Sequence, residues 1–213
     1  AALEFDFFLF GVEGYSRVTE VQLVRKRLAS YLIKSGRAEL GGKRSYSVVY
    51  PRRVADFAAR VTLPDGRETS LSGRDLADLS RQWYEAGLDA GLPEEDLRYL
   101  KPQATEFKAI IGMNAHALLD WFAIRCCRNA QHEIRHLAWQ MLRLCRKAAP
   151  DLFVGAGPSC VQLGYCPENR LQNPRCQGRI LTRDAALELL RARAAERNAP
   201  LPPAPNEFDE DEA

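Results

Sequence analysis

The sequence predicts a mixed fold, α/β of the α+β kind, and three observations carry that expectation. Residues 3–10 alternate with the two-residue period of a strand, whereas residues 114–126 and 131–147 repeat apolar side chains every three or four positions, as helices do. A hydrophobic content of 46% in 213 residues is enough to build one sizeable core. One domain is the default, with two small ones as the alternative.

Taken in order, Leu3, Phe5, Phe7 and Leu9 alternate with Glu4, Asp6, Phe8 and Phe10, which makes one wholly apolar face of a half-buried strand. Gly11 to Gly14 is expected to turn the chain. Ser16 stands where an N-cap belongs, and Val18, Val21, Val24 and Leu28 recur at helical spacing, so 16–27 should be an amphipathic helix. Arg25 and Arg27 would then sit at its C-terminal end, where the helix dipole favours cations. Gly41-Gly42 marks a loop, and Tyr46 to Tyr50 reads as a strand that Pro51 closes.

Residues 60–75 read as a connection, with Pro64-Asp65-Gly66 as its turn. A helix over about 75–90 puts Leu76, Leu79, Trp83 and Leu88 near one face. Pro93-Glu94-Glu95-Asp96 has the signature of a helix start, with Pro at the first helical position and acids in the first turn, so Arg98 falls on a short helix. Residues 106–112 form another strand, and 114–126 and 131–147 the two most regular helices. Residues 155–176 carry the Gly, Pro and Asn of irregular chain, and Thr182 to Arg193 reads as a short helix with a polar cap. Pro200 to Ala213 is proline-rich and then acidic, has little to bury, and is expected to be disordered.

Bulk properties exclude several function classes. A formal charge of +2 argues against a binder of nucleic acid polymers, which carries a basic excess over a whole face. No stretch reads as a membrane span or secretory signal, since the run Phe7 to Phe10 is short and follows Glu4 and Asp6. A cytoplasmic chain is expected. Its six cysteines, two of them adjacent at Cys126-Cys127, do not form a convincing disulfide framework and are read as reduced thiols.

Two motifs invite sharper readings that are set aside. His132-Glu133-Ile134-Arg135-His136 matches H-E-x-x-H, which on a helix could hold zinc with Glu133 as base and a third ligand from Glu168 or one of Cys160, Cys166 and Cys176. The pattern is short enough to arise by chance, and the spacings of six and ten between those cysteines are unlike paired zinc knuckles. No metal site is therefore expected. Cys126-Cys127 could be imagined as a nucleophile, but the apolar helix before it favours small buried residues.

The charge is concentrated in one stretch. Between Arg17 and Arg53 there are ten Lys or Arg against only Glu20 and Glu39. Within it Ser35-Gly36-Arg37 combines a glycine that lets backbone N–H groups approach an anion with a guanidinium fork that matches phosphate oxygens. A small anionic ligand fits these features.

The pattern formed by Arg25, Lys26, Arg27, Ser30, Leu32, Ile33, Ser35 and Arg37, followed by a block from Thr105-Glu106-Phe107 through Asn114, Leu118 and Arg125 to Gln131-His132-Glu133-Ile134-Arg135, resembles the flavin-dependent thymidylate synthases. Arg25, Arg27, Ser30, Ser35 and Arg37 match fixed positions of that family's signature. Lys26 stands where the family has His, and Leu32-Ile33 where it has Asn-Glu. The resemblance covers roughly residues 3–170, and the sequence starts well inside the family pattern, at about its first motif strand. The family's N-terminal flavin-binding portion is therefore expected either to be absent from this protein or to precede Ala1.

The resemblance implies an antiparallel sheet flanked by helices, assembled as a homotetramer with sites at subunit contacts. Residues 1–180 would be the catalytic domain, 181–199 a C-terminal helix and 200–213 a tail. The implied reaction is reductive C5 methylation of dUMP to dTMP, with methylenetetrahydrofolate as carbon donor, FAD as hydride carrier and NADPH as reductant. By position, Gln22, Ser35, Gly36, Arg37, Arg98 and Arg125 would hold the nucleotide. Arg25, Lys26, Arg27, Asn114, His116 and Asp120 would meet the flavin, and Arg25, Arg27 and Arg125 would serve the reaction. His116 and Asp120 replace the family's Arg and Asn, and Ile33 a Glu of the nucleotide site. Those departures leave open a UMP methylase of a nucleoside-antibiotic pathway, or a nucleotide-binding relative that no longer reacts.

Overall fold

The computed structural model describes residues 2–35, 45–168 and 174–195. They divide into two compact units, Leu9–Gly112 and a second made of residues 1–8 with 113–213.

The Leu9–Gly112 unit is built on strand β1 (Phe7–Ser16), helix α1 (Arg17–Leu23), strand β2 (Ser30–Ile33), helix α2 (Arg52–Asp56), the hairpin strands β3 (Ala58–Thr62) and β4 (Glu68–Ser72), helices α3 (Gly73–Asp89) and α4 (Glu94–Leu97), and strand β5 (Glu106–Asn114). The main sheet has the order β1-β5-β2, so the last strand in sequence is central. β2 runs antiparallel to β5, with Ser30 opposite Gly112 and Ile33 opposite Ala109.

β1 differs from expectation in position and in facing. It starts at Phe7 and continues through Gly11 to Ser16, where a turn was expected. Phe10 and Val12 point inward, while Leu9 and Phe7 are exposed, as is Phe5 ahead of the strand. Period-2 alternation fixes which residues share a face, but with phenylalanine on both faces it does not say which face is covered. The strand persists past Gly11 because the inward alternation continues to Val12. Beyond that point Glu13 pairs with Lys108 at 2.9 Å and the Gly14 N–H donates to Glu106 Oε1 at 2.9 Å.

α1 ends four residues earlier than expected. Val24 is its C-cap, and the valines of the anticipated stripe are exposed, whereas Thr19 and Leu23 are wholly buried. Strand β2, read from sequence only as part of the basic motif, follows after the turn and bend of residues 24–29. The expected strand at Tyr46–Tyr50 is reduced to a single bridge between Val48 and Thr105, flanked by Val49 N–H to Ala104 O (2.7 Å) and Glu106 N–H to Ser47 O (2.9 Å). The 60–75 connection is mostly hairpin. Its turn lies where Pro64-Asp65-Gly66 was expected, with Gly66 at φ 84°, the left-handed conformation glycine tolerates. Arg60 and Arg67 hide the strand alternation around it.

Helix α3 is well specified locally. Ser72 caps it, accepting from the Asp75 N–H at 3.2 Å, while Asp75 Oδ2 accepts from the Ser72 N–H at 2.7 Å, a reciprocal capping box. Those bonds to Ser72 hold the exposed Asp75 carboxyl below its ordinary range. Leu76, Leu79 and Trp83, expected on the covered face, are exposed, and Ala77, Tyr84 and Gly87 are buried instead. The chain crosses itself closely at Gly73, where an added Cβ would collide with the Val54 carbonyl. Because backbone cannot rotate aside, Gly73→Ala should cost about 1–3 kcal/mol, read as a lowered denaturant midpoint. An unchanged midpoint would contradict the close crossing. α4 begins after Pro93, which is the N-cap and not the first helical residue, and Arg98 opens a 3-10 turn to Leu100.

The second unit contains α5 (Ala115–Arg125), α6 (His132–Ala148), α7 (Pro150–Phe153), α8 (Ser159–Leu163), the two-residue strands β6 (Tyr165–Cys166) and β7 (Leu181–Thr182), and α9 (Arg183–Ala195). α5 and α6 lie where the periodicity put them. Asn114 Oδ1 accepts from the Ala117 N–H at 2.8 Å and Gln131 Oε1 from Glu133 and Ile134 at 3.0 Å each, so both start on a side-chain cap. Their shared core includes Leu118, Phe122, Ile134, Leu142 and Phe153, all wholly buried. Phe153 meets Phe122 and Phe8 edge-on, with centroids 6.1 and 5.4 Å apart. The stretch read as irregular, 155–176, holds α8 and β6, and β6 pairs in parallel with β7. Thr182 Oγ1 caps α9 by accepting from the Ala185 N–H at 3.2 Å. Residues 200–213 lie outside the described residues.

Candidate functional site

The Leu9–Gly112 unit encloses a cavity of about 700 Å³ between the N-terminus of α1, the end of β2, and the chain from Arg98 to Lys108. Among the described residues five cations line it, Arg17, Lys34, Arg98, Lys101 and Lys108, and one acid, Glu106. Among them, Arg17 is engaged with Glu20 at 3.6 Å and Lys108 with Glu13 at 2.9 Å. That pairing raises Lys108 above its ordinary range and lowers Glu13.

Lys101 is placed by aromatic packing. Its ammonium lies 4.3 Å from the ring centre of Tyr84 and 5.0 Å from that of Tyr46. Those two rings are both buried and meet edge-on 5.4 Å apart. The Tyr46 hydroxyl lies 2.7 Å from Ser80 Oγ, which donates to Leu100 O at 2.7 Å. The segment carrying Arg98 to Lys101 is thereby anchored on α3. Arg98 is exposed, and its guanidinium has no ion pair or hydrogen bond among the described residues. A cavity with a positive majority and an unengaged guanidinium at its wall can take a phosphate through paired N–H donors.

Lys34 puts the end of the basic motif on this cavity, and the exposed Ser35 follows it. Gly36 and Arg37, the rest of the expected phosphate cradle, lie outside the described residues. Gln22 is on α1, half-buried, its side-chain N–H donating to Val18 O at 3.3 Å. Arg25, Lys26 and Arg27 occupy the turn and bend that follow α1, not a helix end. Arg25 and Arg27 are exposed and make no side-chain bond or ion pair among the described residues.

Sequence reasoning missed the residue that holds this arginine loop. The Tyr31 hydroxyl stands 2.8 Å from Leu23 O and 2.9 Å from Lys26 O, so its one proton is shared between the end of α1 and the middle of the loop, tying both to β2. It also takes up a carbonyl at the end of α1, which is why the helix stops there. A tyrosine inside a polar motif, at a strand position, was the available signal. Burial raises the Tyr31 phenol to about 12, above the ordinary value of 10.0. The neutral form is the one favoured in the fold, so its contribution to stability is intact below pH 10.0 and declines as pH rises through about 12. Tyr31→Phe should cost about 0.5–1.5 kcal/mol and speed amide exchange over 24–29. Unchanged exchange there would remove the clamp from the account.

The remaining candidates belong to the second unit. Asn114 is spent in part on the α5 cap, which leaves its side-chain N–H₂ as donor. His116 and Asp120 are exposed one turn apart on α5, and His116 Nδ1 is 3.6 Å from Glu4 Oε1. Arg125, the last residue of α5, is half-buried. His132 Nδ1 lies 3.3 Å from the Gln131 amide and His136 Nε2 lies 3.2 Å from the Gln140 amide. Cys126 is fully buried and its thiol is pushed up to about 12 by desolvation, the state of an inert packing residue and not of a nucleophile.

Comparison with known proteins adds to this geometry. The family model described as thymidylate synthase complementing protein matches residues 1–151. The chain is 41% identical over 169 residues to the flavin-dependent thymidylate synthase of Geobacter sulfurreducens, covering 79% of this chain and 68% of that one. To the Pyrococcus abyssi protein of the same name it is 36% identical over 193 residues, covering 88% and 75%. Its fold is similar to the crystal structure of the flavin-dependent thymidylate synthase ThyX of Helicobacter pylori complexed with FAD and dUMP. That match has a TM-score of 0.55 and 20% identity, and covers 73% and 75% of the two chains. The expected α+β class holds.

Proposed function

This chain belongs to the flavin-dependent thymidylate synthase family, and from that premise we propose that it methylates C5 of dUMP to give dTMP. The cavity with its unengaged Arg98 is the observation that carries the reading, since a nucleoside monophosphate brings the dianion this set of cations suits. Arg98, Lys34 and Lys101 hold the phosphate from two sides, and Ser35, Gly36 and Arg37 complete the hold from the motif. Gln22 and Arg125 orient the nucleotide so that C5 is presented in one pose.

The residues assigned to the cofactor fit an anionic, acceptor-rich group. Arg25 and Arg27 are exposed donors on a loop pinned by Tyr31, and Asn114 keeps two N–H donors. With Lys26, His116 and Asp120 they would hold FAD. When bound, FAD supplies the hydride, methylenetetrahydrofolate the carbon and NADPH the reducing equivalents. The protein's part is placement, to which Arg25, Arg27 and Arg125 would each contribute guanidinium donors.

We also propose that the chain works as a homotetramer. The exposed Val18, Val21 and Val24 on α1 and Leu76, Leu79 and Trp83 on α3 supply apolar surface that subunit contacts would cover. Among the described residues no helix is long and apolar enough to cross a membrane, and a cytoplasmic location is part of the same proposal.

The test is turnover with FAD, NADPH and methylenetetrahydrofolate, with dUMP and UMP supplied separately and product read by mass. dTMP formation from dUMP is expected. Selective turnover of UMP would redirect the assignment to the ribonucleotide, as the Ile33 replacement allows. Binding of dUMP without any turnover would leave a nucleotide-binding relative and overturn the catalytic reading.

A further inference from the structure

One stripe of α3 carries the chain segment that borders the basic cavity. Ser80, Tyr84 and Gly87 stand at i, i+4 and i+7, on one face of the helix. Each meets a different residue of the segment 97–101. Ser80 Oγ donates to Leu100 O at 2.7 Å, the Tyr84 ring takes the Lys101 ammonium at 4.3 Å, and Gly87 lies where an added Cβ would strike the Leu97 side chain. Tyr84 and Leu97 also share one buried cluster with Tyr46.

The stripe sets side chains as well as backbone. Ser80 gives its one proton to Leu100 O, so in the 2.7 Å contact with Tyr46 the phenol is the donor. Two hydrogen bonds in series therefore run from Tyr46 to the end of the 3-10 turn Arg98–Leu100. Lys101 follows that turn, and its N–H returns to Arg98 O at 3.1 Å. Residues three apart in such a turn lie on the same side, and Arg98 and Lys101 both line the cavity.

The Lys101 ammonium is thus placed in the free protein. It stands 4.3 and 5.0 Å from the centres of two rings inclined at 81° to one another. A lysine side chain in water samples many rotamers, and ordering it opposes ligand binding. Attraction to the aromatic faces lowers that cost by ordering it beforehand.

Resting on the nucleotide reading of this cavity, we propose that Ser80, Tyr84 and Tyr46 are positioning residues for the phosphate: they hold Lys101 beside Arg98 as a pair of phosphate donors set before the ligand arrives. Lys101 touches the phosphate. The two tyrosines act through its ammonium, and Ser80 acts through the turn that carries it.

Titration calorimetry of the FAD-loaded full chain with dUMP tests this pair. Lys101→Ala should raise the dissociation constant about 10- to 150-fold, the loss of one charged hydrogen bond. Tyr84→Leu should raise it about 2- to 30-fold, and Tyr84→Phe, which keeps the ring face, should restore the affinity. In the double variant Tyr84→Leu/Lys101→Ala the loss should equal that of Lys101→Ala alone, because the ring acts only through the ammonium. Ser80→Ala leaves the aromatic core in place and should weaken binding about 2- to 10-fold. Several results would overturn the preset pair alone: wild-type affinity in Lys101→Ala or Ser80→Ala, Tyr84→Phe as weak as Tyr84→Leu, or additive losses in the double variant. Failure of the wild-type chain to bind dUMP would overturn the nucleotide reading and the pair together.

Discussion

Replacing Arg98 with alanine weakens dUMP binding by roughly 10- to 150-fold, the equivalent of about 1.5–3 kcal/mol for a charged hydrogen bond. The guanidinium is exposed at the wall of the basic cavity and engages no other side chain among the described residues, so its removal leaves the fold intact. Thermal stability should therefore stay within experimental scatter while the dissociation constant rises. Arg98→Lys should recover only part of the affinity, because an ammonium keeps the charge but not the planar pair of donors. Titration calorimetry with dUMP reads both variants, and undiminished affinity in Arg98→Ala would move the phosphate elsewhere.

Truncating Phe153 to alanine removes about 3–5 kcal/mol of stability, the cost of emptying a large buried aromatic site. Phe153 is wholly buried and joins two other rings, Phe122 on α5 and Phe8 near the N-terminus. The space it leaves cannot close without moving a helix. Phe153→Leu should cost less than about 1.5 kcal/mol, since most of the volume is kept. Urea denaturation monitored through the Trp121 and Trp139 environment measures the difference. Similar midpoints for Phe153→Ala and wild type would mean that this ring is not central to its core.

What was legible in the chain was what depends on near neighbours. α3, α5 and α6 follow from apolar spacing and from polar caps at Ser72, Asn114 and Gln131, and the turn at Gly66 from its own dipeptide chemistry. Of the candidate site, the basic motif was legible as a block, and the structure puts its Lys34 on the same basic cavity as Arg98, with Ser35 next in the chain. The errors share one cause. The apolar sets at Phe5, Phe7 and Leu9, at Val18, Val21 and Val24, and at Leu76, Leu79 and Trp83 were correctly periodic but turned outward in the chain taken alone. Alternation records that a face is apolar and not what covers it.

By itself the sequence determined the α+β class, the main helices, and the positive stretch that matches the family signature, because helical and strand periods and local charge are properties of adjacent residues. Only the tertiary structure decided that α1 stops at Leu23 under the hydroxyl of Tyr31 and that Arg98 and Lys34 border one cavity. Each of those outcomes is a meeting between residues distant in sequence, set by hydrogen bonds and burial that no local pattern encodes.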